Sequence, residues 1–149
     1  MSEIKSRLTA DIKTAMKSGD KPRLAVLRLI SSAVKQREVD ERVDTDDSAM
    51  IQILDKMAKQ RRESIEQFES AERQDLADAE KAELAIIQDY LPAQLSDSEI
   101  DTLINDAISA TSAESIRDMG KVMGTLKPQL QGRADMSAVS ARIKDRLNA

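Results

Sequence analysis

Apolar positions along this chain recur every three or four residues almost from end to end, the period of a helix buried on one side. Ile4, Leu8, Ile12, Ala15 and Met16 make the first stripe. Ser2 stands ready to cap it and Gly19 to end it, so a helix is predicted from Ser2 to Ser18. Asp20 caps a second helix, with Pro22 in the first turn, where a missing N–H does no harm. Its stripe of Leu24, Leu27, Ile30 and Val34 is widened by Val26 and Leu29, which predicts burial between neighbours as far as about Arg42. A third helix is predicted over about 46–71, with Met50, Leu54, Met57, Ile65 and Phe68 facing inward. Arg61 falls on that stripe, so its stem is expected to be buried and its head in water. A fourth helix, about 75–91, carries Leu76, Ala79, Ile86 or Ile87, and Tyr90, and Pro92 is expected to end it.

Tyr90 to Leu95 is the best boundary in the chain and predicts two parts, 1–92 and 96–149. Ser96-Asp97-Ser98-Glu99 is a capping box, opening a helix with Ile100, Leu103, Ile104, Ala107 and Ile108 inward. Thr111 to Ser115 reads as a loop, and Ser115 with Asp118 caps a sixth helix that Pro128 should break. Asp135 caps a seventh, with Met136, Val139, Ile143 and Leu147 inward. No segment alternates as a strand does. The predicted fold class is all-α, four helices followed by three.

One stretch departs from this pattern. Ser115 to Asp135 holds three of the four glycines, Gly120, Gly124 and Gly132, together with Pro128. Glycine inside a helix costs stability, so Gly120 and Gly124 are expected to meet a packing or contact requirement, letting backbones approach. Gly132 suits a left-handed helix end and is expected, with the other two, to let backbones approach.

Composition narrows the chemistry. The 149 residues include no Cys and no His, which removes disulfides, thiolates and the commonest general base and zinc ligand. A serine nucleophile would have no base beside it. Asp44-Thr45-Asp46-Asp47 reads as a turn and cap, lacking the glycine and spaced ligands of a calcium loop. Gly120-Lys-Val-Met-Gly124 is not a phosphate loop, since no strand precedes it. No cofactor, metal or catalytic residue is expected. The first residues hold no apolar signal core and no run nears the ~18 apolar residues of a membrane span, so no membrane partner is expected and the cytoplasm is the expected compartment.

The net charge of −4 is uneven. Residues 96–113 carry four acids and no base, while 114–149 carry seven bases against four acids, and 21–42 six against three. Such basic regions meet phosphate or simply solvate a helix face. With one Phe and one Tyr, both on inward faces, there is no platform for stacking bases. RNA would be read through phosphates and 2′-hydroxyls, a mode that suits a folded RNA such as tRNA.

Several separate pieces resemble the YqeY family along the full length. They are Asp11–Lys17, Leu24–Arg28, Lys59–Phe68, Arg73–Leu76, Tyr90–Leu95, Asp118–Gly124 and Gly132–Asp135. The family's C-terminal half is similar to the tail domain of the B subunit of tRNA-dependent amidotransferase, with Gly120, Val122, Gly124, Gly132 and Ala134 on the tail's Gly-x-x-x-Gly and Gly-x-Ala pattern. Asp135 and Lys121 depart from that pattern, which has Asn and an aromatic residue there. The resemblance implies a non-catalytic module that binds tRNA or a tRNA–protein complex, accessory to amidation of Glu- or Asp-tRNA. Lys121, Lys127 and Arg133 would contact phosphates, with Arg142 and Lys144 extending the basic face. A protein–protein adaptor without RNA binding is the alternative. The family's naming also invites a third reading, glutamine-dependent amide transfer.

Overall fold

Each apolar stripe forms a helix, and most of the helices begin at a side-chain cap. The computed structural model describes residues 2–148, in which seven α-helices and one 3₁₀ turn are present and no strand. They are α1 (Glu3–Ser18), α2 (Lys21–Glu41), α3 (Asp47–Ser70), α4 (Gln74–Gln88), α5 (Asp97–Thr111), the 3₁₀ turn (Ile116–Asp118), α6 (Met119–Leu130) and α7 (Met136–Leu147). The fold is all-α. Among the described residues no helix is long and apolar enough to cross a membrane. The chain divides after Leu91 into two compact units.

In the first unit α3 and α4 pair most closely, and α1 and α2 pack on one another and on that pair. Leu27, Ile30, Met50, Leu54 and Ile87 are fully buried at the centre. Ser2 caps α1 by accepting from Lys5 N at 3.0 Å, and Gly19 ends it at φ +71°. Asp20 accepts from Arg23 N and Asp46 from Ala49 N, capping α2 and α3 as their sequence positions require. Asp47 reaches back to α1, accepting from the Ser2 hydroxyl and from Ile4 N at 3.2 Å. Glu38 on α2 takes the Lys5 ammonium at 2.6 Å and the backbone N–H of Thr45 at 2.9 Å. These two carboxylates hold the start of α1 and the α2–α3 turn together.

Several expectations need correcting here. Arg61 does not leave its head in water: Nε lies 3.1 Å from Glu83 and Nη1 3.5 Å from Glu80, both on α4. Helix α4 stops at Gln88, ahead of Pro92, because Asp89 to Leu91 close a turn onto Ala85, Ile87 and Gln88 carbonyls. Phe68 is only half-buried, and Met16 at the end of the α1 stripe is exposed. Leu29 is also 46% exposed, so the widened stripe on α2 is not covered on both sides.

In the second unit α5 packs on α6 and α6 on α7. Ile104, Val122, Leu126, Leu130 and Ile143 are fully buried between them. The Ser96–Glu99 capping box forms in both directions. The Ser115–Asp118 box forms as well, but it opens the 3₁₀ turn that leads into α6. Pro128 lies inside α6, which continues to Leu130. A proline removes one helical bond, and near a C-terminus the remaining turn is held by its buried Leu130.

Two outcomes follow. Leu54→Ala, at a site with no solvent exposure, should lower unfolding free energy by about 2–5 kcal/mol in urea titrations with an unchanged m-value. The second outcome concerns pH. Asp47 is held below its ordinary 3.8, chiefly by the Ser2 hydroxyl, and Glu38 below its ordinary 4.5, chiefly by Lys5. Their contribution is complete above those ordinary values and is lost as pH falls through the lower folded values. Urea midpoints should therefore hold down to about pH 5 and fall steeply in more acid solution, and Asp47→Asn should flatten part of that fall.

Candidate nucleic-acid interface

Helix α6 presents two different sides. Val122, Leu126 and Leu130 are buried, one turn apart, against α5 and α7. At 100° per residue the opposite line is Gly120, Gly124 and Pro128, and all three are exposed. Lys121 and Lys127 flank that line on its two sides, and both are exposed. Nothing lies within 4 Å of where a Cβ would stand at Gly120 or at Gly124. Among the described residues no helix therefore makes a close approach at these glycines. At its two glycines the line is bare backbone.

Pro128 adds a specific feature to the strip. It has no N–H, so the regular helical bond to the Gly124 carbonyl is not made. That carbonyl belongs to an exposed residue with no side chain of its own, and the Pro128 ring stands against one side of it. A hydroxyl or amide donor approaching α6 would find an acceptor there.

The lysines differ in their surroundings. The Lys121 side chain is 71% exposed, and its ammonium is 4.0 Å from Asp118. Asp118 is held below its ordinary value first by the backbone N–H of Glu114 and then by that of Ser115, so its charge is engaged at the helix start. Lys127 lies in the last turn, where a cation suits the helix dipole. Lys144 on α7 is exposed as well.

The remaining candidates are committed to structure. Arg142 bridges to Asp97 at 2.7 Å and Asp101 at 3.1 Å, both on α5. Arg146 joins Asp101 at 3.2 Å and Asn105. The acidic run and the basic run, separate in sequence, thus cancel between α5 and α7, and Arg142 does not extend a free basic face. Arg133 donates from Nε to the Ala93 carbonyl at 3.2 Å, and its own carbonyl accepts from Leu95 N. Gly132 is buried at φ +76°, and its carbonyl accepts from Gln94 Nε2 at 2.7 Å. It serves a turn rather than an approach surface.

Sequence reasoning missed a polar cluster in the first unit. The Arg7 guanidinium lies 4.5 Å over the Tyr90 ring and donates to the Asp89 carboxylate at 2.7 Å. The Tyr90 hydroxyl donates to Asp11, and Arg23 stands 3.9 Å from both Asp11 and Asp89. Burial first, and then Asp11, push the phenol well above its ordinary value, so it stays a protonated donor. The cluster ties α1 and α2 to the end of α4. Its members come from three stretches, Arg7 with Asp11, Arg23, and Asp89 with Tyr90, which only the fold joins. Among the described residues no group of three acidic side chains is placed to hold a metal.

Residues 5–147 match the Yqey-like protein family. The chain is 36% identical over 147 residues to "Altered inheritance of mitochondria protein 41, mitochondrial" of Pyrenophora tritici-repentis, covering 96% of this chain and 80% of that protein. The protein of the same name from Lachancea thermotolerans is 30% identical over 146 residues, covering 93% of this chain and 78% of the relative. That of Saccharomyces cerevisiae is 28% identical over 127 residues, with 81% and 69% covered. The relatives are named as mitochondrial, which overturns the expectation of a cytoplasmic protein. That expectation rested on the lack of an apolar segment, a feature a mitochondrial protein does not need.

The bare strip generates its own measurement. With free space at both positions, Gly120→Ala and Gly124→Ala should each raise unfolding free energy by about 0.5–1 kcal/mol, read as a higher urea midpoint.

Proposed function

We propose a function from one premise, that the chain belongs to the Yqey-like protein family: it is a non-catalytic helical module that binds tRNA, or a tRNA–protein complex, through α6. The four helices of the first unit form one functional part. The three of the second are the counterpart of the amidotransferase B-subunit tail, in a role accessory to amidation of Glu- or Asp-tRNA.

The observation that carries this reading is the strip of Gly120, Gly124 and Pro128, exposed, unpacked and flanked by Lys121 and Lys127. Two glycines that lower helix stability without easing any contact inside the chain are explained by a contact outside it. A ribose–phosphate chain fits the chemistry. Its phosphates would meet the two ammonium groups, and a 2′-hydroxyl would donate to the Gly124 carbonyl that Pro128 leaves without its helical partner. Lys144 adds a further phosphate contact from α7, and the Nη groups of Arg133 add another beside the turn at Gly132. No aromatic side chain is offered, so such binding reads the shape of a folded RNA and not its bases.

The test is fluorescence anisotropy of the full chain with bulk tRNA across a salt series. Binding should weaken with a log–log slope of several, and folded tRNA should outcompete unstructured RNA of equal length. Lys121→Ala with Lys127→Ala should lower the slope by about one for each lysine. Gly120→Ala with Gly124→Ala should weaken binding while stabilising the fold. Absence of binding at low salt would refute the proposal, and unchanged affinity in both double variants would refute the α6 site.

A further inference from the structure

Helix α2 has a second ordered surface, on the side away from its core. Val26, Leu27, Ile30 and Val34 point into the first unit. On the opposite side Lys21, Arg28 and Lys35 fall seven residues apart along the helix, and Arg42 at its C-cap continues the series. Seven residues are nearly two helical turns, about 10.5 Å, so Lys21, Arg28 and Lys35 form a row that drifts by about 20° per step, and Arg42 follows at the left-handed C-cap. All four are exposed, and none makes an ion pair among the described residues. The other bases of this segment differ. Arg37 is held by Glu41 at 3.2 Å and Gln52 at 2.9 Å, and Arg23 lies by Asp11 and Asp89.

Apolar side chains run beside the column. Leu29 is 46% exposed, Val39 72% and Val43 55%. Ala25, Ser32 and Gln36, also exposed, complete a four-three spacing with Leu29 and Val39. Lys35, Val39, Arg42 and Val43 line one shallow depression at the end of α2, together with Glu38 and Asp44. Acids lie nearby as well: Glu38 is held by Lys5 and Thr45 N, Asp40 accepts from the Gln36 amide at 2.9 Å and keeps its charge, and exposed Asp44 follows Val43.

We infer that this face of α2 docks an amphipathic helix of a partner protein, one with an apolar stripe at heptad spacing and a row of carboxylates along one flank. A seam of small and aliphatic residues edged along one flank by cations is the arrangement by which a helix selects a partner that brings carboxylates to that flank. A second copy of this chain would set the same four cations against one another in an antiparallel pair. A phosphate backbone would leave the three aliphatic side chains without a counterpart. A lipid surface is poorly matched, since the face offers no aromatic side chain and only three large apolar ones to insert. The inference rests on α2 alone and stands apart from the tRNA reading.

The test uses the full chain and two synthetic 28-residue helical peptides. Both carry Leu at heptad a and d positions, one with Glu and the other with Lys on both flanks. Amide chemical-shift mapping with the Glu peptide should perturb residues 21–43, with Leu29 and Val39 among the most affected. The Lys peptide should bind at least tenfold more weakly. Arg28→Glu with Lys35→Glu should reduce affinity for the Glu peptide at least tenfold. Val39→Ser, which leaves every charge in place, should reduce it about threefold, with helix content by circular dichroism unchanged in both. Equal binding of the two peptides, or shifts centred outside α2, would overturn the inference. Tighter binding to anionic phosphatidylglycerol vesicles than to the Glu peptide would overturn it in favour of a membrane. A dimer in sedimentation that Val39→Ser dissociates would overturn it in favour of a second copy.

Discussion

Both cores have to close with aliphatic side chains almost alone. The chain has no Trp, no Cys and a single Tyr, and the fully buried side chains are Leu, Ile, Val and Met. Such side chains, with the fully buried Ala58 and Ala77 beside them, drive burial strongly but discriminate weakly between one helix register and the next. Polar crosslinks between helices supply the discrimination. Arg61 set between Glu80 and Glu83 admits one alignment of α3 with α4. Glu38, bound by Lys5 and by Thr45 N, admits one alignment of α1 with α2 and the turn that follows. The single buried ring, Tyr90, brings a hydroxyl that must be satisfied, and Asp11 meets it.

These crosslinks explain what was legible in the sequence. Caps and helix ends depend on a few adjacent residues, so Ser2, Gly19, Asp20, Ser96 and Asp135 could be read directly. Apolar periodicity likewise revealed the helices. It did not reveal which apolar residues would find a neighbour. Met16 and Leu29 satisfy the period and remain exposed, because coverage depends on where the other helices lie. Pro128 was misread for a related reason: a single lost bond close to a helix end does not outweigh the burial of Leu130.

Charge was the least legible property, being non-local. The basic run after residue 114 invites the reading of one cationic face, yet Arg142 and Arg146 are held by Asp97 and Asp101 from the acidic run before it. Counting along the sequence separates charges that the fold brings together. Of the five cations proposed for RNA, exposure favours Lys121, Lys127 and Lys144, whereas Arg133 is partly engaged and Arg142 is fully so.

The two surfaces left over break different local rules, and the difference indicates what each would meet. On α6 the anomaly is missing side chains: glycine where a helix prefers alanine, and a proline that leaves a carbonyl without its donor. A surface without side chains has little to pack, but it lets a polar backbone come near, so its complement is another polar chain. On α2 the anomaly is surplus side chains, aliphatic groups left in water beside unpaired cations at a regular spacing. That surface has methyl groups to bury and gains from a partner that brings its own, so its complement is an apolar stripe with acidic edges. One kind of partner does not satisfy both. Taken together, the two proposals assign one surface to each unit.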